Sequence, residues 1–245
     1  MSTGSTQILK QRFATTNWSM VLAAGEADSS RSRRALAELC EAYWYPVYAF
    51  LRRQGCTVEE SRDLAQGYFL QLLEKGFLKE VRPEAGRFRS FLLVSVKHFL
   101  SNALNRERAL KRGGGVSPLR LEFDAAEGRY AADPADSALT PDRLFERQWA
   151  MAVLERAMQS LREDSVRSGD AVRFDLLKPY LAGEEPAVPY REVAAELGLS
   201  ESAVKVAVHR MRVRFGQVLR EVIAETVVSP EEIDDEIRFM LTSLA

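Results

Sequence analysis

The sequence predicts an all-α protein: two helical domains joined by a flexible acidic linker, the second containing a helix-turn-helix. Three observations carry that reading. Apolar residues recur at helical spacing, as in Phe88, Leu92, Val96, Phe99 and Ala103 at steps of 4, 4, 3 and 4, and no strand alternation competes. A stretch beginning Gly113-Gly114-Gly115 and carrying Pro118, Pro134 and Pro141 breaks that periodicity. The length of 245 residues, 46% of them hydrophobic and 28% charged, suits two modest cores or one large one, at about 150 residues per domain.

An N-terminal extension, residues 1–31, precedes the first domain at 32–112. Ala35 to Arg53 reads as a helix, bent at Pro46 and stopped by Gly55. Thr57 and Glu60 form a capping box: the hydroxyl accepts from one orphan amide while the carboxylate reaches back to another. The helix they open carries Leu64, Ala65, Tyr68, Phe69, Leu72 and Leu73 on one side and stops at Gly76. The Phe88 stripe follows, with His98, Ser101, Asn102, Asn105, Arg108 and Arg112 on its opposite face.

Residues 113–142 form the expected linker, and the second domain spans 143–224. Its first helix carries Leu144, Phe145, Trp149, Val153, Leu154 and Met158, and a short helix at Phe174 to Leu181 interrupts a polar excursion over 162–189. Tyr190 to Leu197, a stop at Gly198 and an N-cap at Ser200 then make a helix-turn-helix pattern. Val193, Leu197, Leu199, Val204 and Val208 are its expected core, and Ser202, Lys205, His209, Arg210 and Arg212 its exposed face. In the tail, 225–245, Ser229 caps a helix with Pro230, Glu231 and Glu232 in its first turn. Its stripe of Ile233, Ile237, Met240, Leu241 and Leu244 needs cover, either from the second domain or from a regulator or polymerase.

The net charge of -1 hides a strong segregation. Between Arg87 and Arg112 seven Lys/Arg face the single acid Glu107, and between Lys205 and Arg220 there are five and no acid. The compensation lies in the linker, with six acids against two arginines, and from Glu221 onward, where seven acids face only Arg238. Catalysis finds no purchase, because both histidines sit in cationic helices without a nucleophile or relay, and Gly113 to Gly115 lacks the lysine of a phosphate loop. Cys40 and Cys56 fit neither a disulfide framework nor a zinc module. The sequence thus predicts no enzyme, no cofactor and no metal. With no run of roughly 18 apolar residues and no apolar signal core, it predicts a cytoplasmic protein without membrane insertion.

Two cationic helices point to nucleic acid. Arg and Lys on the second suit phosphates and guanine edges in a major groove. On the first, His98, Asn102 and Asn105 offer base-edge donors and acceptors, and Phe88 and Phe91 are rings of the kind that stack on unpaired bases. The plainer alternative is that the cations are solvated faces and the phenylalanines core.

Asp63-Leu-Ala-Gln66-Gly-Tyr-Phe69-Leu70, Gly86-Arg-Phe-Arg-Ser-Phe91 and Ser200-Glu-Ser-Ala-Val-Lys205-Val-Ala-Val-His209-Arg210-Met-Arg212 stand in this order. Together they resemble the sigma-70 family of bacterial RNA polymerase sigma factors, specifically the extracytoplasmic-function type that keeps domains two and four. The resemblance implies that Asp63, Gln66, Phe69, Leu70 and Leu73 bind core RNA polymerase. It implies that Arg87, Phe88, Arg89, Lys97, His98, Asn102, Asn105, Arg106 and Arg108 recognise and melt the downstream promoter element. Ser200, Ser202, Lys205, Val206, His209, Arg210 and Arg212 would read the upstream element. Ser202-Ala203 replaces the family's frequent Gly-Thr, and Ala207 stands where a base is common. The implied partners are core polymerase and promoter DNA, with room for an anti-sigma factor or another regulator. A near-neutral chain that gains specificity only on polymerase fits this better than the alternative, a stand-alone helix-turn-helix regulator acting as a dimer.

Overall fold

The computed structural model describes residues 30–74, 87–109, 123–132, 138–181, 188–227 and 229–245. Among them the protein is all-α, with no strand. In chain order the helices are α1 (Ser30–Arg53), α2 (Val58–Glu74), α3 (Phe88–Ala109), α4 (Phe123–Ala132), α5 (Pro141–Arg167), α6 (Ala171–Leu177), α7 (Tyr190–Leu197), α8 (Glu201–Ala224) and α9 (Ile233–Leu244). Short 3-10 turns at Lys178–Tyr180 and Pro230–Glu232 follow α6 and precede α9. The expected extension up to residue 29, the Gly76 stop and the Gly113 to Gly115 triplet lie outside the described residues. So do the side chains of Leu73, Arg106 and Arg108.

The chain divides into two compact units. The first takes the described residues up to Ala152 together with those from Ala224 to Ala245, and the second takes Val153 to Ile223. The second unit begins ten residues after the expected start, with the head of α5 in the first unit, and ends one residue from the expected end; the tail groups with the first unit.

In the first unit α1 is central. Val47, Tyr48, Ala49, Phe50 and Leu51 are consecutive and all inaccessible to solvent, so this stretch is covered on every side. The helix continues through Pro46, which removes one backbone donor. It ends where Gly55 takes φ 92°. The Gly55 amide there donates to Arg52 O and the Cys56 amide to Leu51 O, a Schellman closure of the last carbonyls. The capping box then starts α2 with both its bonds: the Thr57 amide donates to Glu60 Oε2 at 2.7 Å, and the Glu60 amide to Thr57 Oγ1 at 3.2 Å. The Thr57 amide, first, and the Thr57 hydroxyl hold the Glu60 carboxyl below its ordinary range. Ala65, Tyr68, Phe69 and Leu72 of α2 are buried, as are Phe88, Leu92, Val96 and Leu100 of α3. Tyr68 meets Phe99 edge-on, and Phe88 meets Tyr43 in the same way. Cys40 is buried, which pushes its thiol up to about 12, and it forms no disulfide with Cys56.

The segment expected as a flexible linker carries the folded helix α4. Glu127 accepts from the Tyr48 hydroxyl at 2.6 Å and from Arg52 Nε and Nη2 at 3.1 and 3.0 Å, and Arg129 covers the Tyr45 ring. The Arg52 bonds chiefly hold Glu127 below the usual carboxylate range. Arg53 Nε donates to Leu139 O at 2.7 Å. The physical reason is that α1 presents cations and a phenol that need an acid, and the acidic segment supplies one. Thr140 then caps α5, accepting from the Arg143 amide at 3.3 Å, with Pro141 in the first turn, where its missing donor costs nothing.

The tail departs from expectation in three ways. It belongs to the first unit, not to the second domain. Ser229 makes no side-chain cap to the backbone; its hydroxyl bonds the Glu231 carboxylate, the main cause of that group's lowered pKa. The buried face of α9 is Glu236 and Met240, whereas Leu241 is exposed.

In the second unit Leu177, Tyr180, Val193, Ala194, Val204, Ala207 and Val208 form one core, with Tyr190, Leu197 and Met211 packed against it. Gly198 takes φ 64°, and the Leu199 amide donates to Ala194 O at 2.9 Å, so α7 also ends in a Schellman turn. Ser200 then caps α8, accepting from the Ala203 amide at 3.2 Å. Leu199, expected in the core, is exposed.

Candidate nucleic-acid interfaces

On α8, Ser202, Lys205, Val206, His209 and Arg210 are all exposed, and their spacing of three and four residues places them on one face. Lys205 pairs with Glu201 at 2.8 Å, one turn earlier, and that hydrogen bond chiefly raises the Lys205 pKa. It also lies 5.5 Å from the Tyr190 ring centroid. His209 and Arg210 make no ion pair with any described residue. Ser200 differs in role, because its hydroxyl is occupied by the cap and by Ser202 Oγ at 3.0 Å. Arg212, seven residues after Lys205 and also exposed, makes a further contact: its Nε and Nη2 donate to Tyr180 O at 3.1 and 2.7 Å, closing the 3-10 turn that carries Tyr180. Tyr180 in turn stacks on Tyr190 with centroids 4.7 Å apart and donates to Val188 O. Arg212 thus also positions the elements that precede α8. Arg214 is likewise held, by Asp164 at 2.8 Å and Glu221 at 3.2 Å.

One residue absent from the sequence reading joins this face. Arg173 of α6 lines an open groove with Leu199, Ser202, Ala203, Val206 and Arg210. In the sequence it is a base just ahead of the short helix expected at Phe174 to Leu181, and that helix begins earlier, at Ala171.

On α3 the expected site divides. His98, Asn102 and Asn105 are exposed along one side. Phe88 is core, and Phe91 is half-buried against it with centroids 5.8 Å apart, so Phe88 is not available to stack on a base. Arg89 is only 7% exposed. Its Nε and Nη2 donate to Glu236 at 2.9 and 3.2 Å, and Arg87 Nη1 lies 2.6 Å from the same carboxylate. Lys97 is paired with Asp142 in the first turn of α5. Nearby, burial raises the Glu146 carboxyl above its usual range against the opposing pull of Arg89. Arg87, Arg89 and Lys97, which the resemblance assigns to DNA, are thus each paired with a carboxylate.

Of the residues assigned to polymerase binding, Asp63 is exposed, Gln66 and Leu70 are half-buried, and Phe69 is 1% exposed. Phe69 packs edge-on with Tyr68 and serves the core. Asp63 and Leu64 border a groove of about 430 Å³ with Cys56, Phe99, Ala103 and Leu104. Among the described residues no cluster of His, Cys, Asp or Glu suits a metal ion, and no helix is long and apolar enough to cross a membrane. Comparison with protein-family models, with curated proteins and with solved structures finds no match to this chain.

Proposed function

We propose that this chain is a transcription initiation factor of the sigma type, which binds core RNA polymerase in the cytoplasm and directs promoter recognition and opening. The observation that carries the reading is the α8 face: a capped helix after a left-handed glycine turn, offering Ser202, Lys205, Val206, His209 and Arg210 to solvent over a closed core. A helix so presented fits a major groove, with its first turns toward base edges. The exposed row of His98, Asn102 and Asn105 on α3 supplies hydrogen-bonding groups for opened bases, and Asp63, Gln66 and Leu70 remain accessible for polymerase. The proposed action needs no cofactor and makes no covalent chemistry.

Run-off transcription with core polymerase on a promoter library tests this. Polymerase-dependent, site-specific transcripts support it, and their absence across the library rejects it. The neutralised Arg87, Arg89 and Lys97 favour a second reading, a stand-alone regulator that uses the α8 face alone. Tight operator binding at physiological salt without polymerase would select that reading.

A further inference from the structure

The carboxylate of Glu236 is 1% exposed in the first turn of α9, while Asp234 and Asp235 in the same turn are exposed. A carboxylate that merely solubilised the tail would stay outside with them, because burying a charge is costly unless it is paired. It is met by three guanidinium nitrogens from Arg87 and Arg89. The Arg89 guanidinium lies 3.7 Å from the Phe239 ring centroid and 4.8 Å from that of Trp149. The seat is therefore an anion receptor with aromatic walls, one contributed by the tail and one by α5. A phosphate offers such a pair of guanidiniums the same fork of oxygens as a carboxylate.

We propose that α9 is a built-in competitor for nucleic acid: Glu236 occupies the place of a phosphate, and DNA engages the head of α3 only when α9 is displaced. This rests on the reading of α3 as a DNA-binding helix. Nucleic acid is favoured over an acidic protein segment because displacing the tail parts Phe239 from Trp149 and leaves beside the guanidiniums a ring on which a base can stack. A tethered competitor acts at an effective concentration of about millimolar, enough to exclude weakly held DNA. The coupling is reciprocal, so DNA that binds the seat must release the tail.

The test uses the full chain, a labelled forked DNA with a single-stranded arm, and amide hydrogen exchange over 229–245. Glu236→Gln removes the competing charge, and Phe239→Ala loosens the seat without altering any charge, so a folding failure of one leaves the other informative. Both variants should bind forked DNA about tenfold more tightly, and saturating DNA should speed tail exchange in the unaltered protein. Unchanged affinity in variants whose tails exchange freely overturns the competitor. DNA binding that leaves tail exchange unaltered does so too, as does release by an acidic peptide but not by DNA. Run-off transcription with core polymerase separates the two levels. If transcription persists while affinity is unchanged, only the competitor fails; if released variants neither bind nor transcribe, the initiation-factor reading fails with it.

Discussion

On α3, Arg87 and Arg89 converge on buried Glu236 and Lys97 reaches Asp142, whereas on α8 His209 and Arg210 face solvent with no ion pair to a described residue. Both helices read as basic blocks in the sequence. What separates them is the register of each cation against the apolar stripe. Arg89 stands three residues before Leu92 and seven before Val96, inside the buried stripe of its own helix, and a buried guanidinium must be neutralised. Arg210 stands off the stripe of Val204, Ala207 and Val208 and stays wet. A positive block is therefore a surface only where its spacing leaves the core.

The largest expected effect comes from Arg89→Ala, which leaves the Glu236 carboxylate buried beside Arg87 alone and strips two ring contacts. Breaking a buried pair costs about 3–5 kcal/mol, so denaturant unfolding of the first unit should shift strongly. Arg210→Ala should move stability by only about 0.5 kcal/mol or less. Equal shifts would erase the distinction between the two helices. Arg212→Ala follows, losing two charged hydrogen bonds to Tyr180 O, with a cost of about 1.5 kcal/mol. Arg210→Ala should instead weaken upstream DNA binding, by about 1–3 kcal/mol per lost base contact. A gel shift paired with thermal unfolding checks the division, and a purely DNA-binding defect in folded Arg212→Ala would place that residue in the interface. Ser200→Ala should cost about 1 kcal/mol through loss of the α8 cap, measurable as a small drop in thermal midpoint. Smallest is an acid effect at Glu127. Its folded pKa is lowered by Arg52, so its contribution is present above the unfolded value of about 4.3. That contribution is lost as pH falls through the folded one. In acid titration Glu127→Gln should be less stable than the unaltered protein near neutrality and indistinguishable from it at the acid end.

The features legible in the sequence were local. The Gly55 stop, the Thr57 and Glu60 box, the Gly198 turn and the Ser200 cap are each settled within about five residues of chain, and all four stand as expected. The pairings that decide the candidate site are distant: Arg89 and Glu236 are 147 residues apart, and Arg212 and Tyr180 are 32 apart. No propensity records such a pair. One signal did exist, since Arg89 and Glu236 each occupy a position where their helix stripe calls for an apolar residue. A base and an acid both misplaced in this sense are candidates for each other. The linker was misjudged because proline and glycine punctuation marks where a helix cannot run and says nothing about the ten residues between, where α4 forms.

The separation of Arg89 from Glu236 also sets an order of events during synthesis. Ribosomes add about 5–20 residues per second, so roughly 7–30 s pass between the making of the seat and the making of its occupant. Val153 to Ile223, a contiguous stretch, is complete before then. The first unit closes later, because Glu236 and Met240 of α9 follow the whole of Val153 to Ile223 in the chain. Until α9 is made, the nascent chain carries the guanidinium pair beside Trp149 without the carboxylate that meets it.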